Sequence, residues 1–319
     1  MQNSFSILKV VKMKNYSASN SVKDKNNAPL QLPKFERVYV EIGNICNLRC
    51  PFCAGTKKPK KQMSEMEFSH VCKEIKQYTK QIYFHVMGEP LLHPLVEKFL
   101  MIAEENGLKV NITTNGTLIA KKKEILLKNA NILHKISISL HSFEGNNLED
   151  FYQKLSDIVE FAREIAGKGV FVIMRLWNRD SEEERGINKL NDKIESFLHS
   201  NFKGEWQKRA KGFRLDKYII LEYDGVFAWP TLSKAIKSEK GSCYGIVKQL
   251  GILADGSVVP CCLDCNGEIN LGNIFSQELK DILQSKRAKD MVLGFNRGEK
   301  TEELCKKCTF VKKFKIRNN

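Results

Sequence analysis

Six short apolar runs of strand character lie at residues 38–43, 82–87, 109–114, 136–140, 170–176 and 218–221. Between them the sequence reads as helix at 65–80, 95–105, 119–128 and 148–165, followed by a charged helical stretch to about His199. Strands joined by helices cannot pair as hairpins, so the sheet they form must be parallel. Six such units predict an α/β fold, a partial (β/α)6 TIM-like barrel. The 148–165 helix sets Leu148, Phe151, Leu155, Ile158, Ala162 and Ile165 on one face. Gly107 closes the 95–105 helix as a C′ glycine does.

Residues two apart on a strand share a face. Ser137, Ser139 and His141 lie opposite Ile136, Ile138 and Leu140, and Asn111, Thr113 and Asn115 lie opposite Val110, Ile112 and Thr114. His85 is in phase with Glu89, Tyr39 with Glu41, and Arg175 with Phe171 and Ile173. The apolar faces suit a cover of helices. A polar inner face predicts a binding lumen that opens at the strand C-termini, where such folds hold substrate. Any one of these polar residues could simply end a strand; their agreement across strands favours the lumen.

At 319 residues the chain has room for about two domains. Residues 1–34, rich in Ser, Asn and Lys, read as a mobile polar tail. The barrel is expected over 35–230 and a small C-terminal cysteine-rich α+β domain over 231–319. A net charge of +15 excludes an acidic disordered chain. No apolar run approaches the roughly 18 residues of a membrane helix. The apolar residues at 7–11 are interrupted by Lys9 and too few for a signal peptide. A cytoplasmic location without membrane attachment is therefore expected.

Nine of the ten cysteines fall at 46–53 or 243–308, and Cys72, within a helix, reads as a small core residue. Disulfides are not expected in a chain of this size and location. Cys46, Cys50 and Cys53 directly follow the first strand. Three thiolates so close can wrap one iron–sulfur cube and leave its fourth corner open to a small molecule. Structural zinc would want a fourth ligand nearby, and none is close in sequence. In the second zone, Asp255-Gly256 between two apolar pairs marks a hairpin. Around it lie Cys243, Cys261, Cys262 and Cys265, then Leu271-Gly272-Asn273-Ile274, a helix near 276–289, and Cys305-x-x-Cys308. A zinc ribbon from the Cys262/Cys265 and Cys305/Cys308 pairs is the alternative, although their separation exceeds the usual spacing of about 15–20 residues.

Cys46-x-x-x-Cys50-x-Phe52-Cys53 after the first strand resembles the radical S-adenosylmethionine (SAM) family. Met87-Gly88-Glu89-Pro90 is similar to that family's Gly-Gly-Glu-type motif, with Met87 in place of the first glycine. Thr113-Thr114-Asn115-Gly116, Ser137 to His141 and Arg175 follow in the family's order, and the resemblance covers about residues 36–223. It implies a 4Fe–4S cluster on Cys46, Cys50 and Cys53. It also implies SAM contacts from Gly88, Glu89, Asn115, Ser139, His141 and Arg175. One-electron cleavage of SAM would then give a 5′-deoxyadenosyl radical that takes a hydrogen atom from substrate. The second zone resembles the SPASM/Twitch extension of these enzymes, in its shorter form. That implies one auxiliary 4Fe–4S cluster on Cys243, Cys261, Cys305 and Cys308, serving electron transfer. Cys262 neighbours Cys261, so on an extended strand it faces the other way.

The resemblance leaves the substrate open: a peptide or protein, a small carbohydrate-like molecule, or RNA. The tail is too short for a leader-peptide-binding domain. RNA is less favoured, because no RNA-binding module or aromatic stacking pattern accompanies the basic composition. Lys57, Lys58, Lys60 and Lys61, beside the first cysteine group, read as a solvated loop or as a docking surface for an acidic flavodoxin or ferredoxin-type electron donor. Residues 306–317 are also basic. A non-catalytic iron–sulfur or zinc protein that binds nucleic acid is the rival from another class. No catalytic residue beyond the cofactor ligands is assigned.

Overall fold

A computed structural model describes residues 34–146, 149–179 and 188–310. The predicted tail up to residue 33, Leu148, part of the charged stretch before His199, and the basic residues 311–317 lie outside the described residues.

The predicted alternation is present. In chain order it runs β1 (Arg37–Val40), α1 (Glu65–Ile75), β2 (Gln81–Phe84), α2 (Val96–Glu105), β3 (Lys109–Thr114), α3 (Ile119–Lys128) and β4 (Leu133–Ser139). It continues with α4 (Phe151–Gly167), β5 (Phe171–Leu176), α5 (Asn191–Asn201), an antiparallel excursion β6 (Gln207–Arg209) and β7 (Gly212–Asp216), and β8 (Ile219–Tyr223). β1 to β5 and β8 pair in parallel in that order. The sheet ends at β6 on one side and does not close. The fold is thus an open (β/α)6 barrel.

Local chemistry sets several boundaries. Ser64 and Glu67 form a reciprocal capping box that starts α1. Phe68 of α1 stacks on Phe99 of α2 with ring centroids 4.3 Å apart, fixing the two helices against each other over the sheet. The single helix expected near 276–289 is instead two, α6 (Leu279–Gln284) and α7 (Lys286–Asn296). Ser285 breaks them: its backbone is extended and its hydroxyl accepts the Ala288 N–H at 3.2 Å, capping α7.

The hairpin expected at 252–259 forms as β9 (Gln249–Ile252) and β10 (Ser257–Val259), with β11 (Gly272–Asn273) beyond it. Gly256 serves the turn at φ +82°, and a Cβ there would lie 2.4 Å from the Phe275 ring. β9 also pairs in parallel with β1, Arg37 against Gln249 through Val40 against Ile252. The second cysteine zone is therefore built onto the barrel's own sheet as a seventh parallel strand. This covers the β1 edge, which would otherwise present unpaired backbone groups. α8 (Glu303–Lys307) then carries Cys305, with Cys308 at its C-terminal cap.

Candidate active site

Cys46, Cys50 and Cys53 lie on the long loop between β1 and α1. Each sulfur faces at least one N–H. Leu48 N is 3.5 Å and Asn115 Nδ2 3.8 Å from Cys46 Sγ, Asn146 Nδ2 is 3.5 Å from Cys50 Sγ, and Gly55 N is 3.4 Å from Cys53 Sγ. Loops after β3 and β4 hold the cysteine loop in place. Asn115 Nδ2 donates to Asn47 Oδ1 at 3.0 Å, and Asn146 Oδ1 accepts the Arg49 N–H at 3.1 Å. Burial pushes the Cys50 thiol up to about 12, so a bare thiolate there is unfavourable. Iron beside it would supply the missing positive charge. Three neighbouring thiols with N–H donors on their sulfurs fit a cluster with one open iron.

The segment after β2 meets this loop from below. Gly88 has φ +80°, and a Cβ there would sit 2.3 Å from the Gly43 carbonyl oxygen, so glycine is required. Met87 takes the place of the expected first glycine without such a constraint, and its Sδ lies 4.0 Å from Cys53 Sγ. Glu89 is buried. Its carboxylate accepts from Leu91 N (2.9 Å), Thr114 Oγ1 (2.8 Å) and Asn115 N (2.7 Å). Burial still pushes its pKa up to about 7. Two carboxylate oxygens offer about four lone-pair sites. One remains for an ammonium group.

Further around the sheet, Ser139, Arg175 and Glu222 form one cross-strand row. The Arg175 guanidinium lies 4.3 Å over the Trp177 ring, and its Nε is buried without a hydrogen-bond partner. Such an orphaned donor fits a bound carboxylate. His141 Nδ1 donates to the Arg175 carbonyl at 3.0 Å, which leaves Nε2 as an acceptor. Burial and the Arg175 charge lower His141 to about 4, so the ring is neutral. Phe52 packs on it at 4.8 Å.

One cavity of about 580 Å³ brings Gly88, Glu89, Asn115, Ser139, His141 and Arg175 together with Cys46, Cys50 and Cys53. The same cavity reaches Cys243, Cys261, Cys305 and Cys308. Charge on Cys261 would act on Cys243 and Cys305, and charge on Cys308 on both of those, so the four lie close together, and Cys262, whose charge acts on Cys261 and which feels that of Cys243, lies beside them. Cys262 lines the cavity but hydrogen-bonds with Tyr39 of β1. Cys265 is buried, and Cys72 sits in the core at 0% exposure, as expected.

Asn47, Asn146 and Trp177 escaped the sequence reading, which had Phe52 only as the aromatic position of the cysteine motif and Glu41 only as a polar residue in phase with Tyr39. The Glu41 carboxylate accepts from Met87 N (3.1 Å) and Ala254 N (3.0 Å), tying the Gly88 loop to the second cysteine zone. The lysine loop is also partly spent internally. Lys58 Nζ binds Asp255 Oδ2 at 2.5 Å and Ser257 Oγ at 3.2 Å, and Lys61 pairs with Glu67 at 2.7 Å. Lys57 and Lys60 are exposed.

An open parallel barrel with three cysteines after its first strand and a cysteine-rich hairpin on the β1 edge defines an iron–sulfur, SAM-dependent radical enzyme. The family models agree. The Radical SAM superfamily matches residues 40–186 and the SPASM iron–sulfur cluster-binding domain matches residues 243–309. The chain is a radical SAM enzyme with a C-terminal SPASM domain, and its cofactors are a 4Fe–4S cluster, SAM and auxiliary iron–sulfur binding. It is 23% identical to the S-adenosyl-L-methionine-dependent 2-deoxy-scyllo-inosamine dehydrogenase of Niallia circulans, over 87% of this chain and 94% of that protein. It is 22% identical to an S-adenosylmethionine-dependent nucleotide dehydratase of Thermoplasmatales archaeon (strain ISO4-H5), over 49% of this chain and only 59% of that relative. Among solved structures it resembles BtrN in complex with AdoMet and 2-DOIA, with a TM-score of 0.55 at 18% identity, covering 88% of this chain and 94% of that one. Among the described residues no helix is long and apolar enough to cross a membrane.

Proposed function

We propose that this enzyme removes a hydrogen atom from a small polar, carbohydrate-like molecule held in the lumen between two iron–sulfur sites. The observation that carries this is the single cavity of about 580 Å³ lined by both cysteine groups. SAM and the clusters would take up part of that volume, and the remainder suits a small molecule better than a folded chain. The Niallia relative named as an inosamine dehydrogenase, matched along nearly its whole length, supports the same class.

When bound, the cluster and SAM supply one-electron chemistry that no side chain here can supply. Cys46, Cys50 and Cys53 hold that cluster, and the N–H groups on their sulfurs set its electron affinity. Glu89 and the Gly88 loop receive the SAM amino group, and Arg175 receives its carboxylate. Asn115, Ser139 and neutral His141 face the remainder of SAM, with Phe52 and Trp177 as apolar walls that exclude water. Cys243, Cys261, Cys305 and Cys308 hold one auxiliary cluster, fully ligated by protein and suited to taking up the substrate electron. The barrel portion is residues 35–230 and the auxiliary portion 231–319. A flavodoxin or ferredoxin-type protein delivers the first electron.

The test uses extract from cells grown in heavy water, split by size. Reconstituted enzyme with SAM and reductant should form deuterated 5′-deoxyadenosine with the small-molecule fraction. Deuterium transfer only from the peptide, protein or RNA fraction would reject the small-molecule reading.

A further inference from the structure

Below the level of Arg175, two cations, Lys135 and Arg37, line the lumen. Tyr39, Tyr83, Asn111 and Lys135 form one inward row across β1 to β4 by register. Lys135 lies 5.5 Å over the Tyr83 ring and lines the cavity. Arg37, one turn of the pleat lower on β1, hydrogen-bonds the Tyr39 and Tyr83 hydroxyls and lines the same cavity. Neither cation forms a salt bridge among the described residues.

The carboxylates around them form no ion pair with either cation among the described residues; Glu36, whose charge acts on Arg37, pairs with Lys248 at 2.9 Å. Glu222, the one carboxylate whose charge acts on Lys135, accepts from Trp177 Nε1 at 3.1 Å. Glu89 is held by its three donors, and Asp264 accepts from Glu268 N and Ile269 N, both at 2.8 Å. His85 lines the cavity between Lys135 and Arg175 and is held neutral. Burial and the charges of Arg175 and Arg37 pull Lys135 down to about 8. Like charges gathered in a half-dry chamber repel, and an anion placed among them relieves that repulsion.

Along the strand, Lys135 enters the lumen four residues before Ser139 of the Arg175 row, about 13 Å lower at the backbone at roughly 3.3 Å per residue, although the long Lys135 and Arg175 side chains still feel each other's charge. We propose that the substrate carries an oxyanion, phosphoryl or carboxylate, which Lys135 and Arg37 bind at the floor of the lumen while its reacting end faces the SAM-binding level. This rests on the lumen being the substrate chamber and adds the class of molecule it admits.

The test reads binding without turnover. Anaerobically reconstituted, SAM-saturated enzyme is titrated calorimetrically with inorganic phosphate and, separately, with malonate. Binding of phosphate identifies a phosphoryl site and binding of malonate a carboxylate site; either supports the proposal. Lys135→Met should weaken that binding by about tenfold or more, as loss of one charge-assisted contact does. Lys135→Arg should restore most of it, and iron content with circular dichroism verifies that both variants are folded. Absence of binding by either anion, equal affinity in Lys135→Met, or one-for-one displacement of the anion by SAM would overturn the proposal. Deuterium transfer from a neutral small molecule would still stand in that case, so the two readings fail separately.

Discussion

Cys265 and Cys53 share one residue. The Gly55 N–H points at Cys53 Sγ at 3.4 Å, and the Gly55 carbonyl accepts the Cys265 thiol at 3.6 Å. Cys265 is buried, and burial raises its pKa to about 12, which suits a protonated donor. It therefore links the two cysteine zones mechanically. A Cys46/Cys50/Cys53→Ala triple variant should keep about four irons per chain, those of one auxiliary cluster. Adding Cys265→Ala should leave those irons in place, whereas adding Cys261→Ala should remove them. Iron and sulfide analysis of the two quadruple variants decides. Loss of iron with Cys265→Ala would make Cys265 a ligand.

Asn146 offers a way to tune the first cluster without touching its ligands. Its Nδ2 donates to Cys50 Sγ at 3.5 Å and to the Ser142 carbonyl at 2.9 Å. An N–H on a cluster sulfur stabilises the more negative, reduced state. Asn146→Ala should therefore lower the reduction potential by tens of millivolts. Slower release of 5′-deoxyadenosine under a weak reductant should accompany it. Spectroelectrochemical titration measures the shift, and an unchanged potential would limit Asn146 to bracing the Arg49 backbone.

Legibility in the sequence followed the range of the interactions. β3 and α3 have the predicted bounds because local patterning alone defines them. The inward face of the lumen followed from the two-residue period. Asn146 could not be found that way, since 96 residues separate it from Cys50. A hairpin signal at Asp255-Gly256 fixes the β9–β10 pair but carries no information on which strand covers the free edge of β1. Lys135 shares the phase of Ser137 and Ser139. It precedes the predicted strand, which begins at 136, and only the cross-strand row with Tyr83 places it in the lumen.

Glu41 should make stability depend on pH. Burial raises its folded pKa to about 7 from the ordinary 4.5, against the two backbone N–H bonds that lower it. Below the unfolded value both states hold the proton and the full contribution is present. Between 4.5 and about 7 the folded state keeps a proton that the unfolded state has lost, so stability falls as pH rises through that window. Glu89 acts in the same direction, with its pKa also raised to about 7. Glu41→Gln should flatten part of this slope. It should also cost about 1–3 kcal/mol at every pH, because the amide cannot accept from both Met87 N and Ala254 N. Denaturant midpoints from about pH 5 to about pH 8 compare the slopes; equal slopes would mean that Glu41 ionises normally.

Electron delivery should depend on the two lysines beside the cluster loop that form no ion pair among the described residues. Lys58 and Lys61 are held by Asp255 and Glu67, whereas Lys57 and Lys60 are exposed. An acidic donor approaching Cys53 would meet that pair first, and charge steering of this kind weakens with salt over a Debye length of about 8–10 Å. Lys57→Glu/Lys60→Glu should slow flavodoxin-supported 5′-deoxyadenosine formation several-fold, and added salt should slow the wild-type rate in the same assay. With dithionite, a small reductant that needs no docking surface, neither change should matter. If the double variant instead loses salt-sensitive binding of mixed tRNA while its flavodoxin-supported rate is intact, the basic loop serves nucleic acid and the donor docks elsewhere.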